Sequence, residues 1–252
     1  MKLHYQIIGS GKPLLVIHGL FGSADNWRSM IKYFSKQNQV ISIDLRNHGR
    51  SPHSDSQSLI DMAEDIYELC QDLSLNNVII LGHSLGGKVA MQFAELYEKY
   101  VEKLIIVDIA PREYKGKHTP LMDAMMALDF SELNSRKQVD EVLAMSIADQ
   151  QVRQFLLMNL SLDSEQLKWR INLPALKVNY KAFMKAVLTE SNLDITSLFI
   201  YGEHSDYVTA QDRDEIKQIF PYAEFAAVPA GHWVHAERPQ QFKKIVEEFL
   251  IK

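Results

Sequence analysis

The segment that most constrains this chain is residues 82–86, which read Gly-His-Ser-Leu-Gly. An apolar run at residues 78–81 precedes it and is typical of a buried strand, whereas residues 87–98 have the pattern of a helix. A serine with glycines two positions away on each side, between a strand and a helix, predicts a nucleophile elbow. In such an elbow a sharp turn lifts the serine, here Ser84, out at the carboxyl end of a parallel sheet. An ordinary glycine-rich turn is the alternative interpretation of the same pattern.

The first 110 residues alternate between short apolar runs and helical stretches, which is the pattern of an α/β protein with a mostly parallel central sheet and helices on both faces. The predicted strands are residues 3–8, 14–17, 40–43, 78–81 and 103–107, and the predicted helices are residues 27–35, 59–73 and 88–97.

After Pro111 the pattern changes, because residues 112–195 contain a single glycine and long helical periodicities. We therefore expect a core domain formed by residues 1–111 and 196–252, with a helical cap inserted at residues 112–195. The cap helices are predicted at residues 120–128, 136–148, 150–160 and 180–188; the sheet resumes at residues 197–201 and 225–228, and a helix at residues 239–251 closes the chain.

Six of the ten methionines fall in the predicted cap. A methionine on a helix usually fills a core, but flexible thioethers also line sites that accept varied apolar groups, and both interpretations are open here. The six are Met122, Met125, Met126, Met145, Met158 and Met184.

Composition excludes several classes of function. The formal net charge of −5, without a basic stripe, argues against nucleic acid as a partner. No apolar run reaches transmembrane length, and the first six residues are too polar for a signal peptide, so no membrane partner is expected. The single cysteine, Cys70, cannot form an intrachain disulfide, which fits a reducing compartment and a cytoplasmic location.

A serine hydroxyl needs a base within hydrogen-bond reach to become a nucleophile, and the base needs an acid that orients it. His232 is the candidate base, since residues 231–233 (Gly-His-Trp) follow a predicted strand near the C-terminus. The side chain of His83 is expected to face away from the site, and His18 is expected beside it. His48 is placed on a loop that could border the pocket. The remaining histidines are expected at the surface or in packing roles: His4, His53, His118, His204 and His235.

Four motifs together make the chain resemble the α/β-hydrolase family over nearly its whole length, and within it the small bacterial YbfF-type esterases. They are residues 18–23 (His-Gly-Leu-Phe-Gly-Ser), 44–51 (Asp-Leu-Arg-Asn-His-Gly-Arg-Ser), 82–88 (Gly-His-Ser-Leu-Gly-Gly-Lys) and 231–237 (Gly-His-Trp-Val-His-Ala-Glu). The resemblance implies the α/β-hydrolase fold, with the serine first in the chain, the acid between and the histidine last.

The position of the acid departs from the family pattern. Most of the family reads Gly-x-x-Asp after the seventh main strand, whereas residues 202–205 read Gly-Glu-His-Ser, with Asp206 one residue late. A shift by one residue in an extended segment turns a side chain to the other face. The resemblance places Asp108 at the end of a strand beside the nucleophile strand, so Asp108 is the predicted acid. Asp206 remains an alternative, and a turn-capping role for Asp108 is also open.

The resemblance further implies an oxyanion hole made of two main-chain N–H groups, those of Leu20 and Leu85. The expected activity is hydrolysis of a small-molecule carboxylic ester or acyl thioester by Ser84, His232 and Asp108. A dinucleotide motif and a metal-ligand spacing are both lacking in the sequence, so no cofactor and no metal are expected. Alternatives on the same fold are a carbon–carbon hydrolase, a perhydrolase, a triad-bearing lyase, or a ligand receptor with little turnover.

Overall fold

A computed structural model describes residues 1–163, 166–188 and 192–252. The strands of this part of the chain are β1 (Tyr5–Ile8), β2 (Lys12–Ile17), β3 (Asn38–Ile43), β4 (Val78–His83), β5 (Val101–Val107), β6 (Leu160–Asp163), β7 (Gln166–Trp169), β8 (Thr196–Gly202) and β9 (Ala223–Val228). The α-helices are α1 (Arg28–Phe34), α2 (Leu59–Asp72), α3 (Leu85–Leu96), α4 (Thr119–Met126), α5 (Arg136–Ala144), α6 (Gln150–Leu157), α7 (Leu173–Met184), α8 (Ala210–Ile219), α9 (Val234–Glu237) and α10 (Pro239–Leu250).

Seven strands form one sheet in the order β1-β3-β2-β4-β5-β8-β9. β1 pairs antiparallel with β3, and the other neighbours run parallel. Parallel strands place all their carboxyl ends at one edge, so the loops that follow β2, β4, β5, β8 and β9 meet there. The chain therefore has a mostly parallel central sheet with helices on both faces, as the sequence predicts.

The central strands are buried on both faces, which explains why they read as continuous apolar runs. On β2, Leu15 and Ile17 pack against α2 and α3, while Leu14 and Val16 face α1 and α10 on the opposite side. The four side chains are at most 1% exposed. This packing on both faces fixes the position of the strand ends that carry the loops of the site.

The insertion between β5 and β8 is not purely helical. It contains α4 to α7 and also the antiparallel hairpin of β6 and β7, which the sequence pattern did not predict. The last cap helix begins at Leu173 rather than at residue 180, because Asn172 caps it by accepting a hydrogen bond from the N–H of Ala175 and a proline follows at the second helical position. Residues 164–165 and 189–191 of the predicted insertion lie outside the described residues.

In the described ranges, the helices do not combine the length and the apolar character that spanning a bilayer requires.

Candidate active site

The turn from β4 to α3 carries Ser84 in a strained conformation, with φ of 53° and ψ of −117°. Two glycines make the turn possible. A Cβ on Gly82 would lie 2.3 Å from the carbonyl oxygen of Gly86, and a Cβ on Gly86 would lie 2.5 Å from that of His18. The N–H of Ser84 donates to Val107 O at 3.0 Å, which fixes the turn to the end of β5.

Asp108 directly follows β5, also with a positive φ of 51°, and its side chain is fully buried. Its carboxylate accepts three hydrogen bonds, from the N–H of Gly202 at 2.9 Å, from the hydroxyl of Ser205, and from Nδ1 of His232 at 2.7 Å. A buried carboxylate is costly unless such donors surround it. The three bonds orient both of its oxygens, and the imidazole is one of the donors.

Asp206, the alternative acid, lies elsewhere. Its side chain is 70% exposed and forms an ion pair with Lys117. The hydrogen bond from that ammonium lowers the pKa of the Asp206 carboxyl below its usual range. The carboxylate that bonds His232 therefore belongs to Asp108, the residue that directly follows β5.

His232 lies in the loop after β9 and is held on three sides. Nδ1 bonds Asp108, the ring stacks on Tyr207 with centroids 4.0 Å apart, and the carbonyl oxygen accepts a hydrogen bond from Nε2 of His83 at 2.9 Å. A proton on Nδ1 leaves Nε2 as the free basic nitrogen. A direct hydrogen bond from Ser84 to His232 is absent among the described residues, but both side chains line the same cavity.

The loop after β2 supplies main-chain donors near Ser84. Gly22 N–H closes a tight turn onto Gly19 O at 2.9 Å. The N–H groups of Leu20 and Leu85 have no acceptor in the part of the chain that the structure describes. Both residues line one wall beside Ser84.

His18 stabilises the loop after β2 through both of its ring nitrogens. Its Nδ1 contacts Gly19 O at 2.8 Å, and its Nε2 accepts the N–H of Leu45 at 3.0 Å, so both ring nitrogens are used. Burial lowers the pKa of the imidazole, which is consistent with a neutral, structural ring. The ring of His48 lies 5.1 Å from that of His18 and is fully buried, away from the cavity walls.

Two adjoining cavities share Leu20, Ser84, His118 and Tyr207 as wall residues. The base-side cavity, about 220 Å³, is further lined by His18, Gly19, Phe21, Gly22, Asn26, Trp27, His83, Leu121, Val152, Phe155, Leu156, His232, Trp233 and His235. The basic cavity, about 290 Å³, is further lined by Leu85, Lys88, Ile109, Arg112, Glu113, Tyr114, Lys115, Lys117, Tyr180, Met184 and Asp206.

Sequence reasoning misjudged two histidines. His83 does not face away, because it lines the base-side cavity and bonds the main chain of His232. His118, expected at the surface or in packing, lines both cavities, and its Nδ1 lies 2.6 Å from the hydroxyl of Tyr180. Burial lowers the pKa of His118 to about 4. His83 lies in the motif at residues 82–88, but that motif does not show where its side chain points, and His118 lies in none of the four motifs. Only the tertiary contacts therefore reveal what these two side chains touch.

The methionines of the insertion mainly fill its core or lie on its surface. Met122 and Met125 are fully buried, whereas Met145 is 78% exposed. Met184 lines the basic cavity, and it alone of the six reaches a cavity beside Ser84 in the described chain. Core filling is therefore the better interpretation for Met122 and Met125, whereas Met126, Met145 and Met158 are exposed.

Groups of three or more His, Cys, Asp or Glu that could hold a metal ion are not found among the described residues.

Comparisons with known proteins agree with this geometry. The profile of the family described as alpha/beta hydrolase fold matches residues 12–239. The chain is 37% identical over 241 residues to a putative esterase/lipase of Haemophilus influenzae, covering 95% of this chain and 83% of that protein. It is 32% identical over 243 residues to the esterase YbfF of Escherichia coli, covering 96% and 94%.

A solved structure of a marine microorganism esterase superposes with a TM-score of 0.96 at 39% identity and covers 98% of this chain and 99% of that one. The resemblance read from the four motifs is thus confirmed at the level of the family.

Proposed function

Since the chain belongs to the alpha/beta hydrolase family, we propose that it hydrolyses carboxylic esters, thioesters included, with Ser84 as nucleophile. His232 acts as the base and Asp108 as the acid that orients it. The relatives named above are esterases or a putative esterase/lipase, which supports this class of reaction. Residues 112–195 act as a cap, because side chains from α4, α6 and α7 line the two cavities at Ser84.

The first half-reaction forms an acyl-enzyme. Ser84 Oγ attacks the acyl carbonyl carbon while Nε2 of His232 takes the hydroxyl proton. The tetrahedral intermediate then collapses, the bond to the alcohol or thiol breaks, and His232 gives the proton to the leaving group. Asp108 stabilises the imidazolium that exists between these two proton transfers.

The negative charge that develops on the carbonyl oxygen is stabilised by the N–H groups of Leu20 and Leu85. Their free donors beside Ser84 support this role. Donors fixed before the reaction stabilise the transition state without reorganisation.

The second half-reaction releases the acid. A water molecule gives its proton to Nε2 of His232 and attacks the acyl carbon, and the acyl–oxygen bond to Ser84 breaks as the serine regains a proton. The sum is one water consumed and one carboxylic acid released.

The observation that carries the proposal is the 2.7 Å bond between His232 Nδ1 and Asp108 Oδ2, since His232 also lines the cavity that contains Ser84. It supplies the base with its orienting acid. A cytoplasmic location is proposed on the single cysteine, Cys70, which is buried and unpaired.

Steady-state turnover of p-nitrophenyl butyrate tests the function. The protein should release many equivalents of nitrophenolate, and Ser84→Ala should lower kcat by at least about a thousandfold while leaving the fold intact. A fluorophosphonate probe should label the wild-type protein at Ser84. One stoichiometric burst without further release would favour a ligand receptor instead.

A further inference from the structure

The two cavities at Ser84 differ in which part of an ester they would receive. On the proposed function, His232 gives its proton to the leaving group, so the leaving group must lie beside its imidazole. His232 lines the base-side cavity and is not among the described residues that line the basic cavity. The leaving alcohol therefore occupies the base-side cavity, and the acyl chain extends into the basic cavity.

The inner wall of the basic cavity is apolar. Leu20, Leu85, Ile109 and Met184 contribute apolar side chains to the wall that also contains Ser84. Methylene groups of an acyl chain gain free energy when they leave water for such a wall. The volume of about 290 Å³ is at the lower end of the range for small-molecule sites, which suits a short chain.

The lining of the same cavity carries more basic than acidic residues, although the formal net charge of the whole chain is −5. Four basic residues line it against two acidic ones. The basic residues are Lys88, Arg112, Lys115 and Lys117, and the acidic residues are Glu113 and Asp206.

Protein partners neutralise only part of this charge. Lys117 pairs with Asp206, and Nε of Arg112 donates to Asp212 at 2.7 Å. Each terminal nitrogen of that guanidinium makes one hydrogen bond to a main-chain oxygen, which leaves further N–H groups free. Lys115 is exposed and has no partner within the described ranges. An anion at this rim would meet donors that the protein itself does not use.

Lys88 adds a buried charge to the wall. Its ammonium is fully enclosed and donates to the carbonyl oxygens of Met184 and Lys185, without a carboxylate partner in the described chain. Burial lowers its pKa to about 7. An anion bound in the cavity would stabilise the charged form of this lysine, and the lysine would attract the anion in return.

We propose that the protein hydrolyses half-esters of dicarboxylic acids, whose acyl chain ends in a second carboxylate bound at the rim by Lys115 and Arg112. The methylenes lie against the apolar inner wall, and the ester carbonyl lies at Ser84. The ester carbon–oxygen bond breaks, one water is consumed, and the products are the dicarboxylic acid and the alcohol.

Two substrates matched in length test this inference. Monoethyl glutarate and ethyl pentanoate have the same leaving group and five-carbon acyl chains, and they differ in the terminal carboxylate. Release of acid gives kcat/KM for each. The half-ester should be cleaved at least as efficiently as the neutral ester, and half-esters of longer and shorter diacids should show one optimal length.

Lys115→Gln should lower the ratio of the two kcat/KM values about three- to fivefold, and Lys115→Glu should lower it further, because removing one partly exposed ion pair has an effect of this size. The change should lie in KM for the half-ester. Lys137→Glu is the matched control, since Lys137 is 87% exposed on α5 and lines neither cavity. It should leave the ratio within twofold of the wild-type value.

Two results would overturn the inference. The first is a kcat/KM for the half-ester that is tenfold lower than that for ethyl pentanoate. The second is a ratio of the two kcat/KM values that changes by less than twofold in Lys115→Glu. If neither ester is turned over, the proposed function fails, and calorimetry then decides the inference separately. Ser84→Ala protein should bind monoethyl glutarate, and Lys115→Glu in that background should weaken this binding at least about fivefold. Absence of binding in Ser84→Ala would refute the dicarboxylate site.

Discussion

The hydroxyl of Ser205 donates a hydrogen bond to Asp108 Oδ2, the same oxygen that accepts Nδ1 of His232. Ser205 stands where the family pattern has its acid. This position thus still contacts the carboxylate that bonds His232, although that carboxylate comes from the neighbouring strand.

Asp108→Asn should lower kcat for p-nitrophenyl butyrate by about 10³ to 10⁴, because an amide cannot stabilise the imidazolium and favours the wrong tautomer of His232. Asp206→Asn is the matched control on the adjacent loop and should cost less than tenfold, since Asp206 faces Lys117. Equal losses in the two variants would remove Asp108 from its assigned role.

Ser205→Ala should lower kcat about tenfold with little change in KM. The hydroxyl holds the carboxylate through a charge-assisted hydrogen bond, and the loss of about 1.4 kcal/mol in the transition state corresponds to a factor of ten. Ser205→Thr keeps the hydroxyl and should retain most of the activity. An Ala variant as active as the wild type would show that the bonds from Gly202 and His232 suffice to hold Asp108.

Met184→Ala should shift the preference for acyl-chain length towards longer chains, because it enlarges the apolar inner part of the basic cavity. Each further methylene that gains contact is worth about a fourfold change in kcat/KM. A series of p-nitrophenyl esters from acetate to octanoate measures this preference. Met145→Ala, at an exposed position of the same insertion, should leave the series unchanged.

Stability should fall in mild acid because buried histidines are neutral in the folded protein. His235 stacks on Trp27 with ring centroids 4.0 Å apart, and burial lowers its pKa to about 3. Below the unfolded pKa of about 6.5 the unfolded chain binds a proton that the folded protein does not, so stability is full above pH 6.5 and declines towards pH 3.

His235→Phe keeps a ring against Trp27 and removes this proton uptake. Between pH 7.5 and pH 5 the variant should lose about 2 kcal/mol less stability than the wild type, from 1.36 kcal/mol per pH unit. Urea unfolding at the two pH values measures the difference, and His53→Gln, at an exposed position, is the control. Identical acid losses in His235→Phe and wild type would exclude His235 as a source of the acid sensitivity.

The central strands of the main sheet could be predicted because they are buried on both faces and therefore read as apolar runs between helices. The hairpin of β6 and β7 could not, since its strands are four residues long and partly exposed, which is too short for a period of two to stand out. Local pattern also missed the true start of α7, where the signal is the cap at Asn172 rather than periodicity.

The site also contains residues that the sequence identifies and contacts that only the structure reveals. Ser84 and His232 lie in motifs whose chemistry can be recognised from the sequence. Asp108 was predicted from the family resemblance, which places it at the end of a strand beside the nucleophile strand. The contacts of His83 and Tyr207 with His232 depend on how distant loops meet at the sheet edge. Such contacts leave no periodicity, so the sequence offered no means to find them.

Of the three proposed catalytic residues, Ser84 and Asp108 precede the insertion in the chain and only His232 follows it. Ser84 and Asp108 follow neighbouring strands, and a main-chain bond joins Ser84 to Val107, so these two groups form one continuous block. Only the proposed base arrives from beyond the insertion, and its imidazole is joined to the other two groups through the contact with the Asp108 carboxylate. Caps of different length or sequence can therefore be exchanged between β5 and β8 without separating nucleophile from acid. If an exchanged cap abolishes activity, we expect the cause to be displacement of His232. Imidazole added to the solution would then restore part of the activity.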